Sequence, residues 1–500
     1  MKNRANKIIV AFGCALVLGL TASPSARGAG FLVYDVSAEA LGKGSAVTAS
    51  TNEPAAVFFN PAALAHMEGY QLSLGTVWVN ANAQFEDAAT GATTKAIPRK
   101  GGFWLPTIYG MARINKWVSV GLGVYTIFGL GIEWPYDWTG REHAILADIE
   151  TVTFSPTVSV RLHKKFSVGL GLNVVRGMVD MTNGLPEAIG GHVQIGGATF
   201  GFGAHAALLY RPIPNKLHFG ATYHSRVRLA FNGRADFEPD HEEFIPELQD
   251  QGGKAVIVLP DIISVGAMYR PIPKLAITYD VNVVLWSTYD ELKLDFERRD
   301  DQILKRKNKN VATFRLGFEY ELPVKGLKAR LGFIFDMNPA PAEYLSPSLP
   351  DAHRIDFAVG VGYEWKWLKV DLGYLFVYFL DSKSEGGTEG PVGTYRSTAH
   401  LTALTFTARF GRGAKKRDRE QPRGTRLAPP TRDDPRATRP PHRLVARPVR
   451  PAPPVKKRPR VVPPAKRKTP PATRPAGAGE VPRKAGGAKT PALSRPATNP

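Results

Sequence analysis

Side chains capable of chemistry are plentiful in this 500-residue sequence, but their spacing assembles neither a catalytic nor a metal-binding set. There is no Gly-x-Ser-x-Gly elbow, His-Glu-x-x-His helix or phosphate-binding loop, so the hydrolytic and nucleotide chemistries those motifs carry lack their parts. Gly121-Leu122-Gly123 and Gly201-Phe202-Gly203 imitate half a dinucleotide fingerprint, yet both lie in alternating segments and open no helix. The eleven histidines show no ligand spacing; His143, His192 and His241 read as solvated loop side chains. Cys14 is the sole cysteine, which excludes a disulfide or zinc scaffold. No enzymatic activity, metal or cofactor is therefore expected. What remains is binding. Arg176 and Lys309 could hold a carboxylate, and the apolar loop run Ile127, Phe128, Leu130, Ile132 and Trp134 could gather an oily ligand as a capture groove.

Charge divides the chain. Of 65 Lys and Arg and 44 Asp and Glu, 25 basic and 5 acidic residues fall in 411–500, so that stretch carries +20 and residues 1–410 carry +1. The same stretch has 20 of the 41 prolines and no Phe, Tyr or Trp, too little apolar surface to offset the entropy of ordering. A disordered basic Pro-rich tail is expected there. Lys456-Lys457-Arg458-Pro459-Arg460 and Lys466-Arg467-Lys468 would attract a polyanion, but without aromatics for base stacking nucleic acid is not expected as a partner. A solvated spacer, or a tether to peptidoglycan or another anionic envelope component, fits better.

Lys2, Arg4 and Lys7 precede an apolar run over 8–20 and a polar stretch ending Ala26-Arg27-Gly28, the layout of a secretory signal peptide over 1–28. That run is shorter than the roughly 20 apolar residues of a spanning helix. No later stretch supplies them, so a membrane role demands a closed β-barrel.

Period-2 alternation supports one. Val118, Val120, Leu122 and Val124 alternate with Ser119, Gly121, Gly123 and Tyr125, and Val168, Leu170, Leu172 and Val174 repeat the pattern. Fourteen such segments lie near 70–86, 103–113, 117–127, 148–163, 166–182, 196–211, 215–231, 254–270, 273–289, 308–322, 327–337, 353–365, 368–380 and 396–410. The fold class is thus all-β, a 14-stranded antiparallel transmembrane barrel over 70–410. Its connections alternate between long ones and tight ones such as Asn115-Lys116 and Lys164-Lys165. Long loops facing outward would place both termini in the periplasm. Trp117, Tyr210, Tyr269, Tyr320, Trp365 and Trp367 collect beside the tight turns as an inner aromatic girdle. Leu404, Phe406, Ala408 and Phe410 end the last segment on one face, similar to the terminal aromatic signal read by the outer-membrane assembly machinery.

Residues 29–69 lie between signal and barrel as an N-terminal hatch of short helices. Thr51-Asn52-Glu53-Pro54 and Asn60-Pro61-Ala62 each place a capping residue before or near a proline at the first helical position. Ala29-Gly30-Phe31, Gly42-Lys43-Gly44 and Phe59-Asn60-Pro61-Ala62 resemble the FadL family of long-chain fatty acid transporters. So do, in order, Phe128-Gly129-Leu130, Glu133-Trp134, Trp138-Thr139-Gly140-Arg141, Leu259-Pro260-Asp261, Ser264-Val265-Gly266, Trp286-Ser287 and Leu349-Pro350-Asp351 before Arg354. The resemblance implies a fourteen-stranded barrel closed by the hatch, capture of hydrophobic molecules at the outer loops, an interior pocket, and sideways release through a kink in the third strand. It also implies a monomer among outer-membrane lipids and lipopolysaccharide. Relatives that carry aromatic hydrocarbons leave the cargo open, and a structural envelope protein with a tethering tail is a further alternative.

The resemblance makes Phe31 the leading contact in the interior pocket and Asn60, Pro61 and Ala62 the residues that fix the hatch turn. Gly121 and Gly123 could permit the third-strand kink. Arg176 shares a face with Val168 to Val174, roughly 26 Å of strand beyond Val168, which equally places it above the bilayer.

Overall fold

The structure, a computed structural model, describes residues 30–98, 102–386 and 390–411. The signal peptide expected over 1–28, Ala29 and the tail expected after 411 lie outside the described residues, as does the side chain of Leu130.

Alternation builds the wall. In β4 (Leu146–His163) Thr151, Thr153, Ser155, Thr157 and Ser159 are buried while Val152, Phe154 and Val158 are exposed. This inverts the partition of a soluble sheet and suits a wall whose outside meets lipid and whose inside meets a filled lumen. The remaining strands are β1 (Tyr70–Asp87), β2 (Phe103–Arg113), β3 (Val118–Tyr125 and Gly129–Glu133), β5 (Phe166–Gly184) and β6 (His192–Ile213). β7 (Leu217–His224 and Val227–Glu238) and β8 (Gln251–Leu259 and Ile262–Ile272) follow, then β9 (Leu275–Val284), β10 (Val311–Glu321) and β11 (Leu327–Asp336). β12 (Arg354–Trp365), β13 (Leu368–Phe379) and β14 (Gly393–Phe410) complete the expected fourteen. Each is antiparallel to its neighbours, and β1 pairs with β14 along its whole length, from Tyr70 against Phe410 to Asp87 against Gly393. The ring is closed.

Three strands expected to be continuous are interrupted. β3 breaks at 126–128, β7 at 225–226 and β8 at 260–261, where Pro260 has no N–H to give a ladder. The breaks in β7 and β8 face each other, between the pairs His224–Ile262 and Val227–Leu259. β9 ends earlier than expected, at Val284, and gives way to a helical turn over Trp286–Thr288. The tight turns have local causes: the Asn115 side chain accepts the N–H groups of Trp117 and Val118 at 2.8 and 2.9 Å. Trp117, Tyr210, Tyr320, Trp365 and Trp367 stand exposed on the outer face at this end.

Residues 30–69 fill the lumen and are buried almost throughout. They form α1 (Ala38–Leu41), α2 (Ala56–Phe59) and a 3₁₀ turn over Pro61–His66. Asn60 caps that turn, its Oδ1 accepting from Ala62 N at 3.0 Å, and Pro61 fills the first position, where an N–H would go unused. The cap expected over 51–54 is not used: α2 begins after Ala55 with no side-chain cap, and the Glu53 carboxylate accepts from Ser37 instead. Segment and wall approach closely enough that a Cβ on Gly332 would lie 2.1 Å from Gly44 N. The same constraint corrects the reading of Gly121 and Gly123. Both sit in the unbroken piece of β3, below its kink, and a Cβ on Gly121 would meet Val57 Cγ2 at 2.7 Å. These glycines make room for the N-terminal segment.

Ser73 Oγ and Thr407 Oγ1, directly opposite across the closing seam, are 3.1 Å apart. A Ser73→Cys, Thr407→Cys variant is expected to oxidise to a covalently closed ring that migrates differently on non-reducing gels. Leu72→Cys with Thr407→Cys, whose side chains point to opposite faces, should not.

Candidate ligand-binding site

The site grows from the break in β3. Below it β3 pairs with β2 as far as Val124 against Ile108; beyond it, residues 104–107 of β2 have no ladder pairing with β3. The freed backbone of β3 turns to the N-terminal segment. Val33 N donates to Ile127 O at 2.8 Å, Gly129 N donates to Phe31 O at 3.1 Å, and Leu32 bridges Phe128. The wall has exchanged a strand neighbour for a piece of its own filling.

Phe31 is thereby fixed in an aromatic nest, with ring centres 5.9 Å from Phe128, 4.9 Å from Trp286 and 6.0 Å from Tyr289, all edge-on. Gly30 is required beside it. At φ +65° its Cα lies against the Trp286 indole, where a Cβ would come within 2.5 Å of Cζ2. Its N–H donates to Asp351 Oδ2 at 2.5 Å, tying the start of the segment to the connection between β11 and β12.

Two cavities flank the Phe31–Phe128 pair. One is lined by Phe31, Ile149, Met181, Tyr289, Leu292 and Leu349, with Arg306 and Ser348 among its polar groups. The other lies between the breaks of β3, β7 and β8, against Phe128, Val175, Val227 and Ile262, with Thr153, Asn173 and His224 among its polar groups. Apolar walls with one buried guanidinium are the lining chemistry that suits an amphiphile, its chain against the rings and its charged end at the guanidinium.

Several expected contacts stand elsewhere. Phe128 lines a cavity, but the apolar run around it is no water-exposed groove: Ile127 and Phe128 are buried. Trp134 is fully buried, stacked on Trp138 at 4.5 Å, and its Nε1 donates to Pro347 O, so it packs the loops together and touches neither cavity. Arg176 is exposed on the outer face of β5, and Lys309 is exposed too, its backbone bonded to Pro339. Neither reaches the chamber. The cation that does is Arg306, in the long connection before β10, where no alternating pattern marks which way a side chain points.

A buried ion network docks the segment to the opposite wall. Lys369 contacts Glu39, lies 2.7 Å from Asp371 and 3.8 Å from Glu53, while Arg330 holds Asp371 at 2.8 Å and Glu319 at 3.0 Å. Lys43 and Lys328 complete it, four acids against four bases. Glu39, Glu53 and Asp371 converge within 4.8 Å as a metal site would, but the Lys369 ammonium already neutralises that point. Burial works to raise Glu39, yet Lys369, Lys43 and Arg330 hold it well below the usual carboxylate range. Burial beside Glu39 pushes Glu53 up to about 7. Burial likewise raises Asp351 to about 7, against the pull of Arg354.

Lys369→Met removes the ammonium that Glu39, Glu53 and Asp371 share, leaving Glu53 without an ion-pair partner among the described residues, and should lower the unfolding free energy by about 3–5 kcal/mol in urea titration. Glu53 and Asp351 bind a proton more tightly folded than unfolded, where carboxyls titrate near about 4. Their contribution is therefore complete below that value and is lost as pH rises to about 7. Hydrogen exchange over residues 30–60, corrected for intrinsic rates, should show weaker protection at about pH 8 than at about pH 5.5. Glu53→Gln together with Asp351→Asn should flatten that difference.

Residues 19–410 match the sequence family described as outer membrane protein transport protein (OMPP1/FadL/TodX). The long-chain fatty acid transport protein of Escherichia coli K12 is 25% identical over 431 residues, covering 78% of this chain and 95% of that protein. The crystal structure of a Pseudomonas aeruginosa FadL homologue superimposes with a TM-score of 0.70 at 19% identity, over 77% of this chain and 100% of the other. That of the Pseudomonas putida toluene transporter TodX gives 0.61 at 15% identity, over 77% and 99%. Both share the fold. With a closed barrel, an occupied lumen and a family of transport proteins rather than enzymes, the chain belongs to the OMPP1/FadL/TodX family and is an outer-membrane β-barrel transport protein.

Proposed function

We propose that the protein takes up long-chain fatty acids passively across the outer membrane. Each CH₂ gains about 0.8 kcal/mol on leaving water, so an acyl chain needs an apolar path rather than a wet pore. In this reading the long loops face outward, both termini are periplasmic, and the monomeric barrel is inserted by the assembly machinery through its Phe410 end. Ligand enters the chamber at Phe31 with its carboxylate at Arg306, passes the Phe31–Phe128 pair into the second cavity, and leaves sideways where β3 parts from β2. Asn60, Pro61 and Ala62 hold the turn that keeps the N-terminal hatch in place.

The observation that carries the cargo assignment is Arg306: a guanidinium beside Ser348 in a mostly apolar lining suits a carboxylate and gives a neutral hydrocarbon nothing. Aromatic hydrocarbon uptake is the rival, favoured by the fold shared with a toluene transporter. The basic composition of 411–500 favours a second role as an envelope tether. Deleting it should leave uptake intact, and unchanged envelope integrity would argue against the tether.

In cells lacking their own transporter, Arg306→Gln should lower saturable oleate uptake roughly tenfold, the loss of one charge-assisted contact, and leave toluene uptake unchanged. Phe31→Ala should weaken oleate uptake as well. Equal loss of both cargoes in Arg306→Gln, or no oleate uptake by an assembled barrel, moves the assignment to hydrocarbons.

A further inference from the structure

A second interruption of the wall lies far from the β3 break in sequence. β6 pairs with β7 over 205–213 and again over 192–198, but residues 199–204 have no ladder partner on that side. Ala204 directs both backbone groups at Ser225, its N–H to Oγ at 2.9 Å and its C=O to N at 2.8 Å. Strand parity turns the amides of Phe202 and Phe200 the same way. There β7 has folded inward: Val227 and Leu229 are buried, and a Cβ on Gly201 would lie 2.6 Å from Val227 Cγ1. The result is a notch in the outer face, tied at its ends by Ser225 and by Thr199 Oγ1, which donates to Ala230 O at 2.8 Å.

The rim of the notch has an uncommon composition. Phe200 and Phe202 are 62% and 73% exposed, the latter the highest value among the large apolar side chains. Arg176 stands opposite Phe200 on β5, and Arg228 is exposed on β7 beside Gly201, whose built Cβ would lie 2.7 Å from Arg228 O. Among the described residues neither guanidinium has a hydrogen-bond or ion-pair partner, whereas Arg226 nearby is held by Asp261 at 2.9 Å. By register Glu150 is diagonal to Arg176; no acid flanks Arg228 in the ladder. Phe200 is ten residues along β6 from the girdle residue Tyr210, roughly 25 Å of height at a tilt of about 40°, the thickness of the apolar band. The notch thus sits where hydrocarbon ends and headgroups begin, at the end opposite the short turns.

Two unpaired guanidiniums, strand amides without ladder partners and two exposed aromatic rings at that depth match a phosphorylated headgroup above acyl chains. We propose that the β6–β7 notch binds the phosphorylated glycolipid of the outer leaflet, with Arg176 and Arg228 on its phosphate and Phe200 and Phe202 along its acyl chains. The inference rests on the outward orientation of the long loops given above and is independent of the cargo.

The test is binding to the purified full-length protein, read by native mass spectrometry and thermal shift with phosphorylated lipid A, dephosphorylated lipid A, phosphatidylglycerol and inorganic phosphate. Phosphorylated lipid A should bind preferentially. Arg176→Gln with Arg228→Gln should weaken it by about tenfold or more, Arg228→Lys alone by less, and Lys116→Gln at the opposite rim not at all. Retained gel mobility of the folded barrel confirms that each variant is assembled. Equal binding of dephosphorylated lipid A or phosphatidylglycerol, unchanged affinity in the double variant, or full competition by inorganic phosphate would overturn the proposal.

Discussion

Backbone amides facing lipid have no water to turn to, so a wall of strands must find every partner among its own neighbours. That constraint accounts for the closed ring and makes each departure from it informative. Where β3 leaves β2, the N-terminal segment supplies the missing bonds through residues 31–33. At the paired breaks of β7 and β8, Asp261 supplies them, accepting from Arg226 N, Arg226 Nε and the Tyr223 hydroxyl. The cavities lie against these departures because an unbroken ladder leaves no backbone free to bend away from the wall.

Filling the lumen raises a second difficulty, since charges removed from water are costly unless matched. The segment carries Glu39 and Glu53 into the interior, and the wall meets them with Lys369, Arg330 and their neighbours. Attraction of this kind is directional through its geometry: Lys369 touches acids from both the segment and β13 at once. On the other side the segment is held by rings and by backbone bonds to β3. One face of the filling is locked by charge and the other, facing the chamber, by aromatic contact that a ligand can replace.

The wall was largely legible in the sequence because alternation is a repeated signal: fourteen segments, their turns and the girdle all follow from it. The breaks were not. Ser225-Arg226 and Pro260-Asp261 are two-residue departures inside long alternating runs, and only the three-dimensional register shows them to be opposite each other. Phe31 was legible through its motif, and Asn60 and Pro61 through capping chemistry. Trp134 was misplaced because an apolar residue in a long connection gives no indication of whether the loop folds outward or back over the lumen. Arg306 escapes notice for the same reason, whereas alternation already puts Arg176 on the outward face with Val168 to Val174, where the structure has it. Gly121 and Gly123 show the limit of composition: a glycine reports close approach without saying to what.

The seam between β1 and β14 has a consequence for the order of events. It joins residue 70 to residue 410 and runs the full 18 residues of both strands, so it is the contact of greatest sequence separation in the ring. No part of it can form until the last strand has been made, and contacts of such range are the slowest to be found. Closure of the ring therefore cannot precede completion of the final strand, whatever order the other thirteen pairings follow.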